Sequence, residues 1–340
     1  MSKIFNVAVV GATGLVGEAM LSLLAERKFP LGKVYPLASQ RSAGKRVEFG
    51  GRQLVVGDLE EFDFSQVELA LFSAGAAISE AYVPRATEAG CIVIDNSACF
   101  RYEDDIPLVV PEVNPGAIAQ YRNRGIIANP NCATTQMLVA LKPIYDAVGI
   151  ERINVCTYHA VSGTGKGGME ELVMQTANLL NCKAVAASVY PKQIAFNVLP
   201  QIDAFQDNGY TKEEMVMVWE TRKILGDEAI GVNPTAVRVP VFYGHSAALH
   251  IETHKKITAE QARALLMEMP GVVVVDDRQD GGYPTPVTES AGEDAIFVGR
   301  IREDLSHPRG LDLWVVTDNV RKGAALNSIQ IAEILVKDHL

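Results

Sequence analysis

One cysteine at the head of an expected helix carries the most readable chemistry of this chain. Cys132 stands in Asn129-Pro130-Asn131-Cys132-Ala133-Thr134-Thr135, where a strand is predicted to end and a helix to begin. Free backbone N–H groups and the helix dipole at such a place lower a thiol pKa and hold a developing oxyanion. That is a setting for a thiolate nucleophile, although a small buried apolar cysteine suits the same spot. Cys91, Cys99, Cys156 and Cys182 fall in or near expected core elements and read as buried, inert residues. Five cysteines without close-spaced pairs argue against a disulfide framework or a zinc cluster, so no metal is expected and a reducing cytoplasm suits them. His245 alone reads equally as a proton carrier or as a structural loop histidine.

A second chemical signal is the turn Gly11-Ala12-Thr13-Gly14-Leu15-Val16-Gly17, directly after the β-branched run 6–10. Glycines there accept unusual dihedrals and let a pyrophosphate approach the N–H groups at a helix start. A tight turn in any α/β protein is the plain alternative. Because the turn follows the first strand and opens an amphipathic helix, the segment reads as a dinucleotide site with Gly11, Thr13, Gly14, Leu15 and Val16 as contacts. After the second run, 34–38, an acidic residue would mark NAD, but this chain has Ser39-Gln40-Arg41-Ser42. Arg41 and Ser42 suit a 2'-phosphate, so NADP is the expected cofactor.

The elements that must position these residues follow from periodicity. Short β-branched runs at 6–10, 34–38, 69–73 and 91–95 alternate with amphipathic stretches such as 18–27, which predicts a parallel sheet with crossover helices. A helical run at 133–147 precedes strand-like segments at 152–159, 235–241 and 247–253, so the second part reads as α+β. Strand-like 312–317 and helical 324–337 close the chain, and the helix is expected to return to the first domain. The Gly- and Pro-punctuated loop 276–286 is assigned to the second domain. With 340 residues, 48% of them hydrophobic, two domains and a large core are expected. A formal charge of -10 supplies no global positive field for nucleic acid or an anionic membrane surface. The N-terminal stretch lacks the pattern of a signal peptide, and no apolar run is long enough to span a bilayer.

These motifs, with Ser97-Ala98-Cys99-Phe100-Arg101, residues 109–114, 238–246 and 318–325, run in order along essentially the whole chain. In that combination the sequence closely resembles the aspartate-semialdehyde dehydrogenases. The resemblance implies an α/β architecture: a Rossmann-like parallel-sheet nucleotide-binding domain plus an α+β catalytic and dimerisation domain. It places the NADP-binding domain at 1–130, completed by the C-terminal helix at about 320–340, and the catalytic domain at 131–319. The implied reaction is NADPH-dependent reductive dephosphorylation of L-4-aspartyl phosphate to L-aspartate 4-semialdehyde, reversible, on the way to lysine, threonine and methionine. Cys132 would form the thioester and His245 would take or give the proton. Arg101 and Lys223 match phosphate-binding positions, Arg238 the carboxylate-binding arginine, and Glu220 the residue that meets the substrate ammonium. Asn131, beside the nucleophile, falls in the substrate site, and Ser162, Gly163 and Asn319 match cofactor contacts. A homodimer is also implied.

One position departs from the family pattern: His159 stands where glutamine is usual. An imidazole offers one donor or acceptor in place of the amide pair, and the expectation is that it positions substrate and adds a pH dependence. Two alternatives remain at this stage. A non-catalytic nucleotide-binding paralogue would be expected to have lost the thiol or the basic substrate residues, and this chain has neither loss. An N-acetyl-glutamyl-phosphate reductase shares the thioester chemistry, but an acetylated nitrogen carries no charge for Glu220 to meet.

Overall fold

The computed structural model describes residues 3–340. Met1 and Ser2, part of the stretch read as lacking a signal peptide and of the expected first domain, lie outside them. The chain separates into two compact units, residues 1–131 with 324–340 and residues 132–323.

The first unit runs β1 (Phe5–Val10), α1 (Leu15–Glu26), β2 (Leu31–Ala38), β3 (Arg46–Phe49), β4 (Arg52–Val55), β5 (Gly57–Asp58), β6 (Leu69–Phe72), α2 (Ala76–Glu88), β7 (Ile92–Asp95) and β8 (Ile126–Ala128). Its main sheet has the order β5-β2-β1-β6-β7-β8, parallel throughout. The order reverses direction at β1, and in such sheets the crevice at the carboxyl ends of the switch strands takes ligands. Strand β6 is buried at every position, as both faces of a helix-covered parallel sheet require. The hairpin β3–β4 is an addition that sequence periodicity did not show.

The second unit runs α3 (Cys132–Val148), β9 (Ile150–His159), α4 (Lys166–Leu180), α5 (Lys212–Leu225), β10 (Gly231–Arg238), β11 (His245–Thr253), α6 (Ala259–Glu268), β12 (Val272–Val274), β13 (Ile296–Glu303) and β14 (Gly310–Thr317). The order is β10-β9-β11-β14-β13-β12, mixed in direction. Helix α3 packs across β9, β11, β13 and β14, with α5 on β10 and α6 on β12 and β13. Along β9 burial alternates, so Ile153, Val155, Thr157 and His159 face the covered side. The last helix, α7 (Leu326–Asp338), belongs to the first unit, where Leu326, Ile329, Ile331 and Leu335 join its core. Arg27 after α1 meets Glu333 of α7 through two 2.8 Å hydrogen bonds.

The expected strand 235–241 is shifted: β10 starts at Gly231 and stops at Arg238. Pro240 has no N–H to continue a ladder, and Val241 N–H instead donates back to Val239 O at 2.9 Å. This early stop leaves Arg238 at the end of a strand.

Candidate active site

Strand direction explains why distant residues meet. Parallel β9 and β10 end side by side, with His159 paired to Arg238. Antiparallel β11 begins at that same end with His245, opposite Thr317, where β14 stops. Four strand termini therefore converge in the second unit, and Asn319 follows just beyond β14. Cys132, first residue of α3, completes the cluster: its Sγ and one ring nitrogen of each histidine lie within 4.8 Å of one another.

Both histidines are sealed in, each at 1% exposure. Burial, then the neighbouring Arg238 guanidinium, pushes the His159 pKa well below its ordinary range. For His245 the causes are burial, then His159, then Arg238. The rings are 4.3 Å apart between centroids. Burial beside a cation thus moves any titration of His159 to the acid side of an ordinary histidine's range. His159 Nε2 bonds the Thr157 hydroxyl at 2.8 Å, and Nδ1 lies 3.7 Å from Glu213 Oε1. His245 Nδ1 accepts the Ala160 N–H at 3.1 Å. Arg238 Nη1 donates to Ala160 O at 2.7 Å, fixing the guanidinium at the strand end.

Asn319 Oδ1 accepts from Ser162 Oγ at 3.0 Å and from Gly244 N at 3.1 Å. It thus ties the turn after β9 to the residue before His245. Two glycines are required by close approach rather than by dihedral freedom. A Cβ on Gly163 would stand 2.9 Å from Arg238 Nη1 and 3.3 Å from His245 Nε2; one on Gly323 would stand 2.7 Å from Cys132 Cβ. Gly323, Thr157 and Glu213 were not singled out from the sequence. Only Gly323 had a signal, its place in the run from Asp318 to Ala325.

Glu220 and Lys223 lie on α5, three residues apart as expected; Glu220 is fully buried and Lys223 half-buried. In the first unit Arg101 is buried, and its guanidinium donates to Asn96 O at 2.7 Å. Asn131 immediately precedes α3. The remaining cysteines diverge. Burial, with Glu68 adding to it, pushes the Cys91 thiol up to about 12, which makes it inert. Cys182 is exposed after the end of α4, in a left-handed turn, so the expectation of a buried Cys182 is corrected. None of the five cysteines forms a disulfide.

Gly11, Thr13, Gly14, Arg41 and Ser42 line one cavity of about 490 Å³ at the carboxyl ends of β1 and β2. Gly11 has φ +86, and a Cβ there would come within 2.8 Å of Ser73 O. Helix α1 opens on Gly14, in the cavity wall, without a side-chain cap, and the start of an uncapped helix is a setting for an anion. These features fit a dinucleotide. Leu15 and Val16 form the first turn of α1 beside the cavity lining. Asp58 and Glu60 also line it, a pair of carboxylates that sequence reasoning missed because β5 carries Asp58 to the end of β2. Asp58 Oδ1 is already engaged by the Glu60 N–H at 3.1 Å. Among the described residues no helix is long and apolar enough to cross a membrane.

Comparison with known proteins agrees with this arrangement. Residues 6–121 match the family model for the semialdehyde dehydrogenase NAD binding domain, and residues 141–322 the model for the semialdehyde dehydrogenase dimerisation domain. An aspartate-semialdehyde dehydrogenase of Legionella pneumophila is 62% identical, covering 100% of this chain and 98% of its own. Aspartate semialdehyde dehydrogenase II of Vibrio cholerae, solved as a complex with ASA, superposes with a TM-score of 0.98 at 59% identity over 100% of both chains. The Candida albicans enzyme, solved with NADP, gives a TM-score of 0.76 at 26% identity over 98% of each chain. With the nucleotide cradle and the thiol–imidazole cluster both in place along a full-length match, the chain belongs to the aspartate-semialdehyde dehydrogenase family.

Proposed function

We propose that this chain reduces L-4-aspartyl phosphate to L-aspartate 4-semialdehyde with release of phosphate, through a thioester on Cys132 and with NADPH as the reductant. The observation that carries the reading is the cluster of half-buried Cys132 with buried His159 and His245, and with Arg238 paired beside His159 at the same strand ends. The ASA complex of the 59% identical Vibrio cholerae relative supports the substrate class. The N-acetyl-glutamyl-phosphate alternative is not favoured, because relatives 59–62% identical over the full chain are aspartate-semialdehyde dehydrogenases.

Cys132 attacks the acyl carbon and displaces phosphate. The nucleotide cradle would hold NADPH, whose chemistry when bound would be to supply the hydride that reduces the acyl group. His245 partners the thiohemiacetal oxygen, and collapse to the aldehyde regenerates the thiol. Arg238 holds the α-carboxylate through its planar fork, and Glu220 meets the ammonium. Arg101, Lys223 and Asn131 engage the phosphate. Neutral His159 orients substrate in place of the usual glutamine. Separate cations for carboxylate and phosphate fix both ends of a short substrate, which in-line attack requires.

For the cofactor, Gly11, Thr13, Gly14, Leu15 and Val16 cradle the pyrophosphate, and Arg41 with Ser42 receives the 2'-phosphate. Ser162, Gly163 and Asn319 contact the nicotinamide half. The NADP complex of the Candida albicans relative supports this preference. Two copies associate as a homodimer, consistent with the dimerisation-domain match, and five cysteines without a disulfide suit the cytoplasm.

The decisive assay follows NADPH formation from aspartate semialdehyde, NADP and phosphate. Wild-type turnover is expected to require phosphate, and Cys132→Ser to lose about 1,000-fold or more in kcat. Phosphate-independent turnover, or an active serine variant, rejects the thioester mechanism.

A further inference from the structure

We propose that Glu171 and Gln175, on α4, are positioning residues: they hold the loop that lines the cavity of Arg238 and so set how tightly the substrate carboxylate is bound. The inference rests on the reading of Arg238 given above and adds two residues that do not touch the reacting atoms.

The two stand about one helical turn apart on α4 and share a face. Glu171 is 6% exposed and Gln175 2%. A buried carboxylate and a buried amide need partners, and these two find most of theirs in the loop that follows the helix. Glu171 Oε2 accepts the Ser188 N–H at 3.0 Å, the Ser188 hydroxyl at 2.7 Å and the Val189 N–H, while Oε1 accepts the Tyr190 N–H at 3.4 Å. Three successive N–H groups thus converge on one side chain, an anion nest whose anion is built in. Burial works to raise the Glu171 pKa, but the Ser188 hydroxyl and the N–H groups of Val189, Ser188 and Tyr190 outweigh it and hold the carboxyl below its ordinary range.

Gln175 uses every position its amide has. Nε2 donates to Glu171 Oε1 at 3.1 Å and to Ala186 O at 2.9 Å, and Oε1 accepts the N–H groups of Ile194 at 2.9 Å and Ala195 at 3.1 Å. The pair therefore fixes the loop near both of its ends.

That loop meets Arg238 in two ways. Ser188, Val189 and Tyr190 line a cavity of about 580 Å³ together with Gly163, Thr164 and Arg238. Tyr190 Oη bonds the Thr164 hydroxyl at 3.1 Å, and a Cβ on Gly168 would come within 2.5 Å of Tyr190 Oη, so glycine there lets the tyrosine lie against α4. Farther along, Leu199 exchanges both backbone hydrogen bonds with Arg238, at 2.9 and 2.8 Å. The loop is at once part of the cavity wall beside Arg238 and its ladder partner. A displacement of about 1 Å there would misplace the guanidinium fork, an error that costs up to about 100-fold in kcat/KM.

Steady-state kinetics of two variants test this. Glu171→Gln keeps the size of the side chain but turns an NH2 group toward N–H donors, and Gln175→Met keeps the size while releasing residues 186 and 194–195. In Glu171→Gln the KM for aspartate semialdehyde should rise about 10-fold or more, with kcat within about 3-fold and the KM for phosphate within about 2-fold of wild type; Gln175→Met should raise the same KM by about 3-fold or more. In an Arg238→Lys background Glu171→Gln should add less than about 3-fold, because the fork through which it acts is gone. An unchanged KM for aspartate semialdehyde in a variant that unfolds in urea as a folded protein overturns the proposal, as does a loss that adds in full to that of Arg238→Lys. Should one variant not fold, the other decides. Failure here would leave wild-type phosphate-dependent turnover, the test of the reaction itself, untouched.

Discussion

Burial sets the protonation of His159 and His245 before any substrate arrives, and this has a measurable cost in acid. Both rings have folded-state pKa values below the unfolded value of about 6.5, so between those limits the unfolded chain binds more protons. Their contribution is fully present above about pH 6.5 and is lost as pH falls toward the folded values, by up to about 1.4 kcal/mol per pH unit for each ring. Urea titrations from about pH 5 to about pH 7.5 should show this slope, and His159→Gln should reduce it by one ring's share. The same substitution should leave the shape of the kcat/KM profile between about pH 7 and about pH 9 unchanged, because a neutral His159 does not titrate there. Elsewhere, Arg41→Ala is expected to cut the NADPH-to-NADH ratio of kcat/KM by about 10-fold or more, through loss of a charge-assisted phosphate contact. An unchanged ratio would remove Arg41 from the 2'-phosphate site. Thiol and arginine identities were legible in the sequence; the charge states were not, since they depend on what encloses each ring.

At the scale of elements, α5 and β10 are joined by one carboxylate. Glu214 Oε2 accepts the Thr211 N–H at 2.7 Å in the capping box of α5, and Oε1 accepts the Ala236 N–H of β10 at 3.0 Å. Glu214→Ala would leave both buried N–H groups unsatisfied, and we expect a loss of about 2–4 kcal/mol by denaturant unfolding. Because α5 carries Glu220 and Lys223 and β10 ends on Arg238, KM should rise more than kcat falls. Gly163→Ala acts differently. Its methyl would press on Arg238 and His245, so kcat/KM should drop about 10- to 100-fold while stability changes by less than about 1 kcal/mol. Equal losses in stability and activity would show that the turn is merely structural. Helix α3 and strands β1, β6 and β9 were plain from apolar spacing, whereas the hairpin β3–β4 and the early stop of β10 depended on long-range pairing and a missing proline N–H.

For the whole molecule, the formal charge of -10 means that the proposed anion binding would fall to local cations such as Arg41, Arg101, Lys223 and Arg238. The family match to a dimerisation domain leads to a direct expectation: sedimentation equilibrium should give twice the chain mass at micromolar concentration, and a monomer would contradict the homodimer. The C-terminal helix α7 joins the first unit although the intervening residues 132–323 form the second. Apolar spacing through Leu326, Ile329, Ile331 and Leu335 identified the helix, and its partners in the core of α1 and the parallel sheet account for that amphipathic face.

The sequence by itself determined the nucleotide turn and the helix headed by Cys132, and it offered candidate residues for an amino-acid acyl phosphate. These are local matters of glycine spacing, helix onset and residue type. Only the tertiary structure decided that His159, Arg238 and His245 meet at adjoining strand ends, that the Ala160 N–H donates to His245 Nδ1, and that burial lowers the pKa of both imidazoles. Sheet register and desolvation are properties of segments far apart in the chain, so no single motif encodes them.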